Sequence, residues 1–246
     1  AALFFAIFSA RAAAVLAAMK SEFISSVTHE LKTPLSSIRL ASETLVRGRY
    51  RSREVIVQYA EMLLNEVSRL TRTVDNLLAI TRMHDVNGFY YFESVDLLTV
   101  IEEALSRFEL QLREREFEVH LDLPSSLPPV HADRTAILQV LENLLDNAIR
   151  YCNGSRFLEV SACSSARNVS VRVTDKGPGI PQDELPRVFD KFFRGRGTST
   201  RGSGLGLAIA ERVMKDHGGS IRLHSALSQG TTAELILCVA AGAEEA

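Results

Sequence analysis

The sequence predicts an α+β fold, in which an antiparallel helical hairpin forming a dimeric four-helix bundle is followed by an α/β sandwich. Three observations support this prediction. The first third of the 246-residue chain holds two long stretches of helical periodicity joined by a short basic loop. The second half mixes amphipathic helices with strand patterns, and a glycine-rich segment leads into its last helix. This length accommodates one large domain or two small ones.

The overall composition excludes several classes of protein. The chain has 28 Lys and Arg residues and 30 Asp and Glu residues, so its formal net charge is -2. This near-neutral charge gives the protein no general attraction to nucleic acid. The hydrophobic content of 46% is ample for packed cores and argues against global disorder. Cys152, Cys163 and Cys238 are odd in number and lack metal-ligand spacing. They fit a reducing compartment and argue against a disulfide scaffold.

Residues 1–19 are almost wholly apolar and are interrupted by Arg11. The uncharged run before Arg11 is shorter than the ~20 residues that cross a bilayer. One interpretation is a buried or coiled-coil helix of Ala and Leu. The other is that residues 1–20 are the cytoplasmic end of a transmembrane or signalling helix, with Arg11 at the inner interface. Because the chain starts with Ala rather than Met, we expect it to be a piece of a longer protein.

The hairpin is predicted over residues 21–84. Its first helix extends from about residue 11 to residue 48, and the basic segment 47–53 is typical of a loop. The second helix is predicted at about 54–83. Apolar residues alternate along it in steps of four and three, at Tyr59, Leu63, Val67, Leu70, Val74 and Leu77. A single hairpin leaves a second apolar stripe exposed to water, so we expect a homodimer that forms a four-helix bundle.

The remainder of the chain is predicted to be a linker, residues 85–94, and a second domain, residues 95–242. A first short strand is expected where the linker meets this domain. Asp133 is a candidate cap for the middle one of three helices. The helices are predicted at 95–116, 134–151 and 203–217. The other strands are predicted at 117–124, 157–163, 168–174, 220–225 and 231–239, with a loop at 125–130.

His29 is the first residue whose surroundings suggest chemistry. Glu30 is adjacent, and Pro34 lies inside the helical pattern, where it removes a backbone hydrogen bond and kinks the helix. An imidazole with a pKa of about 6.5 offers a ring nitrogen as a nucleophile at neutral pH. A carboxylate can hold the other ring N–H and take up the developing charge. His29 and Glu30 therefore suit attack on a phosphoryl group.

The segment HELKTPL, with Phe23 six residues before its histidine, resembles the phosphoacceptor box of sensor histidine kinases. The resemblance implies that His29 is autophosphorylated within a dimeric helical hairpin and that Glu30 is the general base. In that family a Glu-x-x-Thr pattern supports dephosphorylation of the partner, and Thr33 completes this pattern here. The resemblance thus implies a bifunctional kinase and phosphatase.

Asn143 and Asn147 lie one turn apart on one face of the helix predicted at 134–151. Their amide oxygens are hard ligands of the kind that Mg²⁺ accepts alongside phosphates and water. The segment QVLENLLDNAIRYC resembles the asparagine box of the same kinases. The resemblance implies that Asn147 ligates Mg²⁺ with the support of Asn143. It also implies that Arg150, where lysine is more frequent, contacts phosphate and that Tyr151 lines the nucleotide pocket.

The segment DKGPGIP follows a predicted strand, and its glycines permit a tight turn and close approach of a ligand. It resembles the Asp-x-Gly-x-Gly box of the family. The resemblance implies that Asp175 accepts a hydrogen bond from the adenine amine, beside Gly177 and Gly179. Such an acceptor distinguishes adenine from guanine, which carries a carbonyl at that position. In the family the residues that match the turn QGTT lie beside adenine, so the resemblance implies the same for Gly230 and Thr231.

The segment RVFDKFFRG resembles the phenylalanine box of the family, whose aromatic residues anchor one end of a mobile lid. Its members here are Phe189, Phe192 and Phe193. Residues 187–201 carry a net charge of +4, which suits a triphosphate, and Arg194 is among their basic residues. A GxGLGL pattern follows and opens an apolar helix, where backbone N–H groups and the helix dipole favour phosphate. Its candidate binding residues are Gly202, Gly204, Leu205 and Gly206.

These five motifs occur in the order that the family has, between about Ser21 and Val239. The resemblance implies a Bergerat-type ATP-binding fold, the cofactors ATP and Mg²⁺, and a response-regulator receiver domain as partner. From the near-neutral net charge we expect no nucleic-acid partner. The resemblance further implies the cytoplasmic portion of a bacterial inner-membrane protein, with a membrane tether on the N-terminal side. Two alternatives stay open: a scaffold that binds nucleotide without transfer, and an ATP-hydrolysing switch with Glu142 as its base.

Overall fold

A computed structural model describes residues 31–82, 90–152, 154–195 and 204–240, together with residues 25, 27 and 28. The chain divides into two compact units, of which the first takes in residues up to Leu78 and the second starts at Ala79. Among the described helices, none is long and apolar enough to cross a membrane. The predictions for residues 1–20, His29, Glu30 and Gly202 lie outside the described residues.

The first unit is a pair of long helices joined by a short loop, as predicted. The described part of helix α1 covers residues 31–46, and helix α2 covers Arg53–Arg82. Gly48 ends α1 with a φ of +63°, a left-handed conformation that glycine adopts without a steric penalty. The N–H of Gly48 bonds to the carbonyl of Leu45 and that of Arg49 to the carbonyl of Thr44, which satisfies the last carbonyls of the helix.

The second unit combines helices with two β-sheets. Its helices are α3 (Leu97–Glu114), α4 (Arg134–Tyr151) and α5 (Gly206–Asp216), with a 3₁₀ turn at Leu185–Arg187. Its strands are β1 (Glu93–Val95), β2 (Glu118–Asp122), β3 (Val130–Ala132), β4 (Phe157–Ser164), β5 (Asn168–Asp175), β6 (Ser220–Ala226) and β7 (Gly230–Cys238). The α+β class predicted from the sequence is confirmed.

The main sheet has five strands in the order β2-β4-β5-β7-β6. Strand β2 runs parallel to β4, and the other neighbours are antiparallel. A second sheet pairs β1 with β3, where the sequence predicts a loop at 125–130 and no strand. A three-residue strand shows little alternation, and the partner that stabilises β3 lies more than 30 residues earlier in the chain.

The helices cover one face of the main sheet and bury a continuous core. Along β5, alternate residues from Val169 to Asp175 are buried, which identifies the covered face. Helix α4 packs against both α3 and α5. The side chain of Asp133 accepts a hydrogen bond from the N–H of Ala136 and caps α4, so the predicted cap and both predicted helix limits are correct.

A buried histidine joins the start of α4 to the end of α5. The Nδ1 atom of His217 donates to the carbonyl of Val213 at 2.7 Å, and its Nε2 atom accepts the N–H of Asp133 at 3.0 Å. This pattern requires a neutral ring, and burial lowers the pKa of His217. The rings of Tyr90 and Phe92 pack on it, with centroids 4.7 and 4.8 Å away. The chain entering the second unit is thereby attached to both helices.

Candidate functional site

One face of α4 carries three residues that the sequence assigned to the nucleotide site. Asn143, Asn147 and Tyr151 follow one another at intervals of four residues, so they lie in a row along the helix. The row extends about 12 Å at a rise of 1.5 Å per residue. Asn143 is buried, with 8% of its surface exposed, and the other two are half-buried.

The start of α5 meets the Asn143 end of this row. A side chain on Gly206, the first residue of α5, would lie 3.4 Å from Oδ1 of Asn143. Leu205 is 1% exposed and anchors the helix start in the core. The helix begins three residues later than the predicted residue 203, and residues 201–203 lie outside the described residues. The first backbone N–H groups of α5 have no partner within the helix and suit an anion beside Asn143.

The opposite end of the row meets the turn after β5. A Cβ atom on Gly177 would lie 2.7 Å from Oδ1 of Asp175 and 3.0 Å from the carbonyl oxygen of Tyr151. Only glycine therefore fits between the carboxylate and the end of α4. The structure thus brings Asp175, Gly177 and Tyr151 together at one end of the row. Asn143 and Gly206 meet at the other end.

Asp175 is a buried carboxylate at the end of β5, with 9% of its surface exposed. The N–H of Gly177 donates to its Oδ1 atom at 2.7 Å, and the N–H of Thr231 also donates to the carboxylate. Burial raises the pKa of Asp175 to about 6, although both hydrogen bonds lower it. The site therefore holds a carboxylate whose charge is poorly solvated, as a selective hydrogen-bond acceptor requires.

The turn after Gly177 is packed tightly onto the β6–β7 hairpin. A Cβ atom on Gly179 would lie 2.0 Å from the carbonyl oxygen of Ala226, and the φ of Gly179 is +72°. The N–H of Ser228 donates to the carbonyl of Pro178 at 2.7 Å. A Cβ atom on Gly230 would lie 2.0 Å from the carbonyl oxygen of Asp175. Glycine is thus required on both sides of this contact.

The variant Gly179→Ala is expected to lose about 2–5 kcal/mol of unfolding free energy, because backbone strain adds to a backbone clash. Urea denaturation of the whole chain measures this loss. Gly154→Ala is the matched control, since Gly154 also has a positive φ, of +94°, but nothing lies within 4 Å of its added Cβ. Equal losses in the two variants would show that the contact with Ala226 does not constrain the turn.

Several other predicted site residues have less direct support. Arg150 forms a half-buried ion pair with Asp146 at 2.5 Å, one turn away on α4. Arg194 is exposed. Gly204 lies against the backbone of Phe192, whose N–H donates to the carbonyl of Gly204 at 2.9 Å. In the first unit, Thr33 is half-buried in α1.

Glu142, the candidate base of the hydrolytic alternative, is engaged elsewhere. Its Oε1 atom accepts a hydrogen bond from Nη1 of Arg107 on α3 at 2.5 Å, and 7% of its surface is exposed. A buried carboxylate that already accepts a hydrogen bond from an arginine is poorly placed to accept a proton from water. This pairing disfavours an ATP-hydrolysing switch that uses Glu142.

Sequence reasoning missed Ser225, which lies on β6 directly opposite Thr231. Its hydroxyl group contacts the turn after β5 and the start of β7. The alternation of inward- and outward-facing residues along the last two predicted strands is the sequence feature that could have identified Ser225. A hairpin between those strands places Ser225 and Thr231 on one face once the register is known.

Two family models match the chain. Residues 19–85 match the His Kinase A (phospho-acceptor) domain, and residues 132–241 match the histidine kinase-, DNA gyrase B- and HSP90-like ATPase. Among curated proteins, the sensor-like histidine kinase SenX3 of Mycobacterium tuberculosis is 36% identical over 223 residues, which are 89% of this chain and 54% of SenX3. The chain thus spans about half the length of that relative.

Solved structures give the same result. The mycobacterial sensor histidine kinase MprB is 31% identical with a TM-score of 0.52, over 60% of this chain and 97% of that one. The histidine kinase ThkA, solved in complex with the response regulator protein TrrA, is 25% identical with a TM-score of 0.59. That match covers 92% of this chain and 63% of the ThkA chain.

Proposed function

Because this chain belongs to the sensor histidine kinases of two-component systems, we propose that it transfers the γ-phosphoryl group of ATP to a ring nitrogen of His29. The observation that carries the proposal is the row along α4. It joins a buried carboxylate suited to an adenine amine, at Asp175, to a helix start suited to phosphate, at Gly206. We assign residues 21–84 to dimerisation and phosphotransfer and residues 95–242 to ATP binding.

The nucleotide is bound in an extended form along α4 in this proposal. Asp175 accepts a hydrogen bond from the adenine amine, and Thr231 and Gly230 lie beside the base. Tyr151 lines the site at the same end as Asp175. The N–H groups at the start of α5 stabilise the phosphates, where the helix dipole favours negative charge. Arg150 and Arg194 supply positive charge near them, once Arg150 exchanges Asp146 for phosphate.

The donor set along α4 fits Mg²⁺. Asn147 presents a half-buried amide oxygen one turn from Asn143, and Mg²⁺ takes such hard ligands together with phosphates and water. Within the described residues, no three His, Cys, Asp or Glu side chains form a metal-binding group. Most ligands of an ion at Asn147 would therefore come from the nucleotide and from water. When bound, the ion would neutralise phosphate charge.

At His29, one ring nitrogen attacks the γ-phosphorus as the bond to the bridging oxygen breaks and ADP leaves. Glu30 holds the N–H of the other ring nitrogen, fixes the tautomer and stabilises the positive charge that develops. An aspartate of a response-regulator receiver domain then takes the phosphoryl group and frees His29. We further propose that Thr33 positions the water that dephosphorylates this regulator.

Dimerisation is proposed through the helical hairpin. Large apolar residues are exposed on both helices of the single chain, among them Leu40 at 65% and Leu64 at 67%. Pairing with a second copy would remove these surfaces from water. We also propose a membrane tether on the N-terminal side, supported by the apolar composition of residues 1–19, with the catalytic part in the bacterial cytoplasm.

The variant Asn147→Ala is expected to remove the effect of Mg²⁺ on ATP affinity, because it deletes the amide oxygen proposed to ligate the ion. Titration of the wild-type chain with ATP should give a lower Kd in Mg²⁺ than in EDTA. For the variant, the Kd in Mg²⁺ should rise by about ten- to a hundredfold, toward the value in EDTA. Asn168→Ala, at an exposed site at the start of β5, is the control. An unchanged Mg²⁺ effect in Asn147→Ala would exclude Asn147 from the site.

A further inference from the structure

Three side chains form a row across the covered face of the main sheet. Asp175 on β5 is opposite Thr231 on β7, and Thr231 is in turn opposite Ser225 on β6. Residues paired in this way point to the same face of a sheet. The row therefore extends from the Asp175 carboxylate, proposed to bind adenine, through Thr231 on the neighbouring strand to Ser225 on the strand beyond it.

The Ser225 hydroxyl group has three polar neighbours. Its oxygen accepts the N–H of Ile180 at 2.8 Å. It lies 2.7 Å from the carbonyl oxygen of Gly230 and 2.8 Å from Oγ1 of Thr231. One hydroxyl group has a single proton to donate and two lone pairs to accept with.

These neighbours determine where the protons lie. The carbonyl of Gly230 only accepts, and two oxygens 2.7 Å apart repel unless a proton lies between them, so the Ser225 proton lies there. The contact between Ser225 and Thr231 then needs the proton of Thr231. With that proton committed to Ser225, Oγ1 of Thr231 keeps only its lone pairs for any other partner.

We propose that Ser225 is a positioning residue that selects the base. It holds the Thr231 hydroxyl group as a hydrogen-bond acceptor beside the Asp175 carboxylate, so the pocket prefers a purine with an exocyclic amine over one with a carbonyl. This inference rests on the proposed ATP-binding function and names the group that sharpens its specificity. In this state Oγ1 of Thr231 donates no hydrogen bond to a carbonyl oxygen at the position of the adenine amine.

The same hydroxyl group also attaches the turn that follows Asp175. The N–H of Ile180 donates to the hydroxyl oxygen. The backbone carbonyl of Ser225, which every variant at this position keeps, accepts a second bond from Nε2 of Gln182 at 3.1 Å. A purely structural serine would therefore hold the turn and affect all nucleotides alike. A serine that orients the Thr231 proton instead affects bases with an amine and bases with a carbonyl differently. This difference distinguishes the orienting role from the structural one.

The test compares ATP with inosine triphosphate (ITP), which carries a carbonyl oxygen in place of the adenine amine. Calorimetric titration of the whole wild-type chain should give a lower Kd for ATP. In Ser225→Ala, the Thr231 hydroxyl group is free to donate. The ratio of the Kd for ITP to that for ATP should then fall about three- to tenfold, the effect of one hydrogen bond. Ser225→Thr, which keeps the hydroxyl group, should restore the ratio.

Further variants connect the effect to Thr231. Thr231→Val should lower the ratio by itself, and adding Ser225→Ala to it should change the ratio no further. Ser170→Ala, whose hydroxyl group contacts Cys163 instead, should leave the ratio unchanged. Ser225→Cys, with a weak donor and acceptor, should give an intermediate ratio and serves if Ser225→Ala does not fold.

The contrary outcomes are distinct. If Ser225→Ala weakens ATP and ITP in equal proportion, Ser225 only holds the turn and the inference is overturned. The same follows if its effect on the ratio persists in the Thr231→Val background. If the wild-type chain binds no nucleotide, the proposed function itself fails.

Discussion

The variant His29→Ala is expected to acquire no label from γ-labelled ATP, while the wild-type chain becomes labelled. The proposed reaction places the phosphoryl group on an imidazole nitrogen, and alanine offers no nucleophile there. The label on the wild-type chain should be lost in acid and survive in base, as expected for a phosphorus–nitrogen bond. ATP affinity should be unchanged in the variant, because the proposed nucleotide site lies in the second unit. Electrophoresis after acid or base treatment, with a parallel ATP titration, measures both properties.

His120→Ala is the matched control for this experiment. His120 is a half-exposed histidine on edge strand β2, where its ring contacts Glu118, and it has no role in the proposed reaction. Its loss should leave labelling intact. Label that persists in His29→Ala, or that resists acid as a serine ester does, would contradict the assignment of His29. Phosphate released to solution without labelled protein would instead favour the hydrolytic alternative, despite the ion pair of Glu142.

The variant Asp175→Asn is expected to weaken ATP binding while it stabilises the unliganded protein. The amide replaces a charged acceptor with a neutral one, so the Kd for ATP should rise about ten- to a hundredfold. The same change removes a buried ionised group whose pKa is raised to about 6 from 3.8. That shift corresponds to at most about 3 kcal/mol of unfolding free energy at neutral pH. Binding and stability should therefore change in opposite directions.

The stability effect has a defined pH dependence. The folded carboxyl group takes up a proton near pH 6 and the unfolded one near pH 3.8, so between these values the folded state binds more protons. The stability that Asp175 contributes in its neutral form is therefore present at low pH and lost as the pH rises through 6. Wild type and Asp175→Asn should have similar unfolding free energies near pH 4, should diverge mainly between pH 4 and pH 6, and should differ by a constant amount above about pH 7.

Urea denaturation of both proteins at several pH values measures this divergence. Burial lowers the pKa of His217, which gives the opposite pH dependence, but His217 is present in both proteins and its contribution cancels in their difference. Asp122→Asn, at the exposed end of β2, is the control and should match the wild type throughout. If the difference in unfolding free energy between wild type and Asp175→Asn does not vary with pH, burial does not destabilise the ionised form of Asp175.

Much of the site was predictable because its motifs are local. The cap at Asp133 follows from an aspartate directly before a helical pattern, and the extent of α4 follows from the spacing of apolar residues along that segment. The same segment places Asn143 and Asn147 on one helical face without reference to the rest of the chain. By contrast, the pairing of Glu142 with Arg107 joins residues 35 positions apart, and no local pattern indicates it.

The sequence by itself determined the fold class, the order of the motifs and the helical face that carries the asparagines. Those features depend on periodicity and on residue types within single segments, which are readable along the chain. Only the tertiary structure decided that Asp175, Thr231 and Ser225 form one row and that Gly206 lies against Asn143. These contacts depend on strand register and on helix packing, and both are set by the burial of the core as a whole rather than by neighbouring residues.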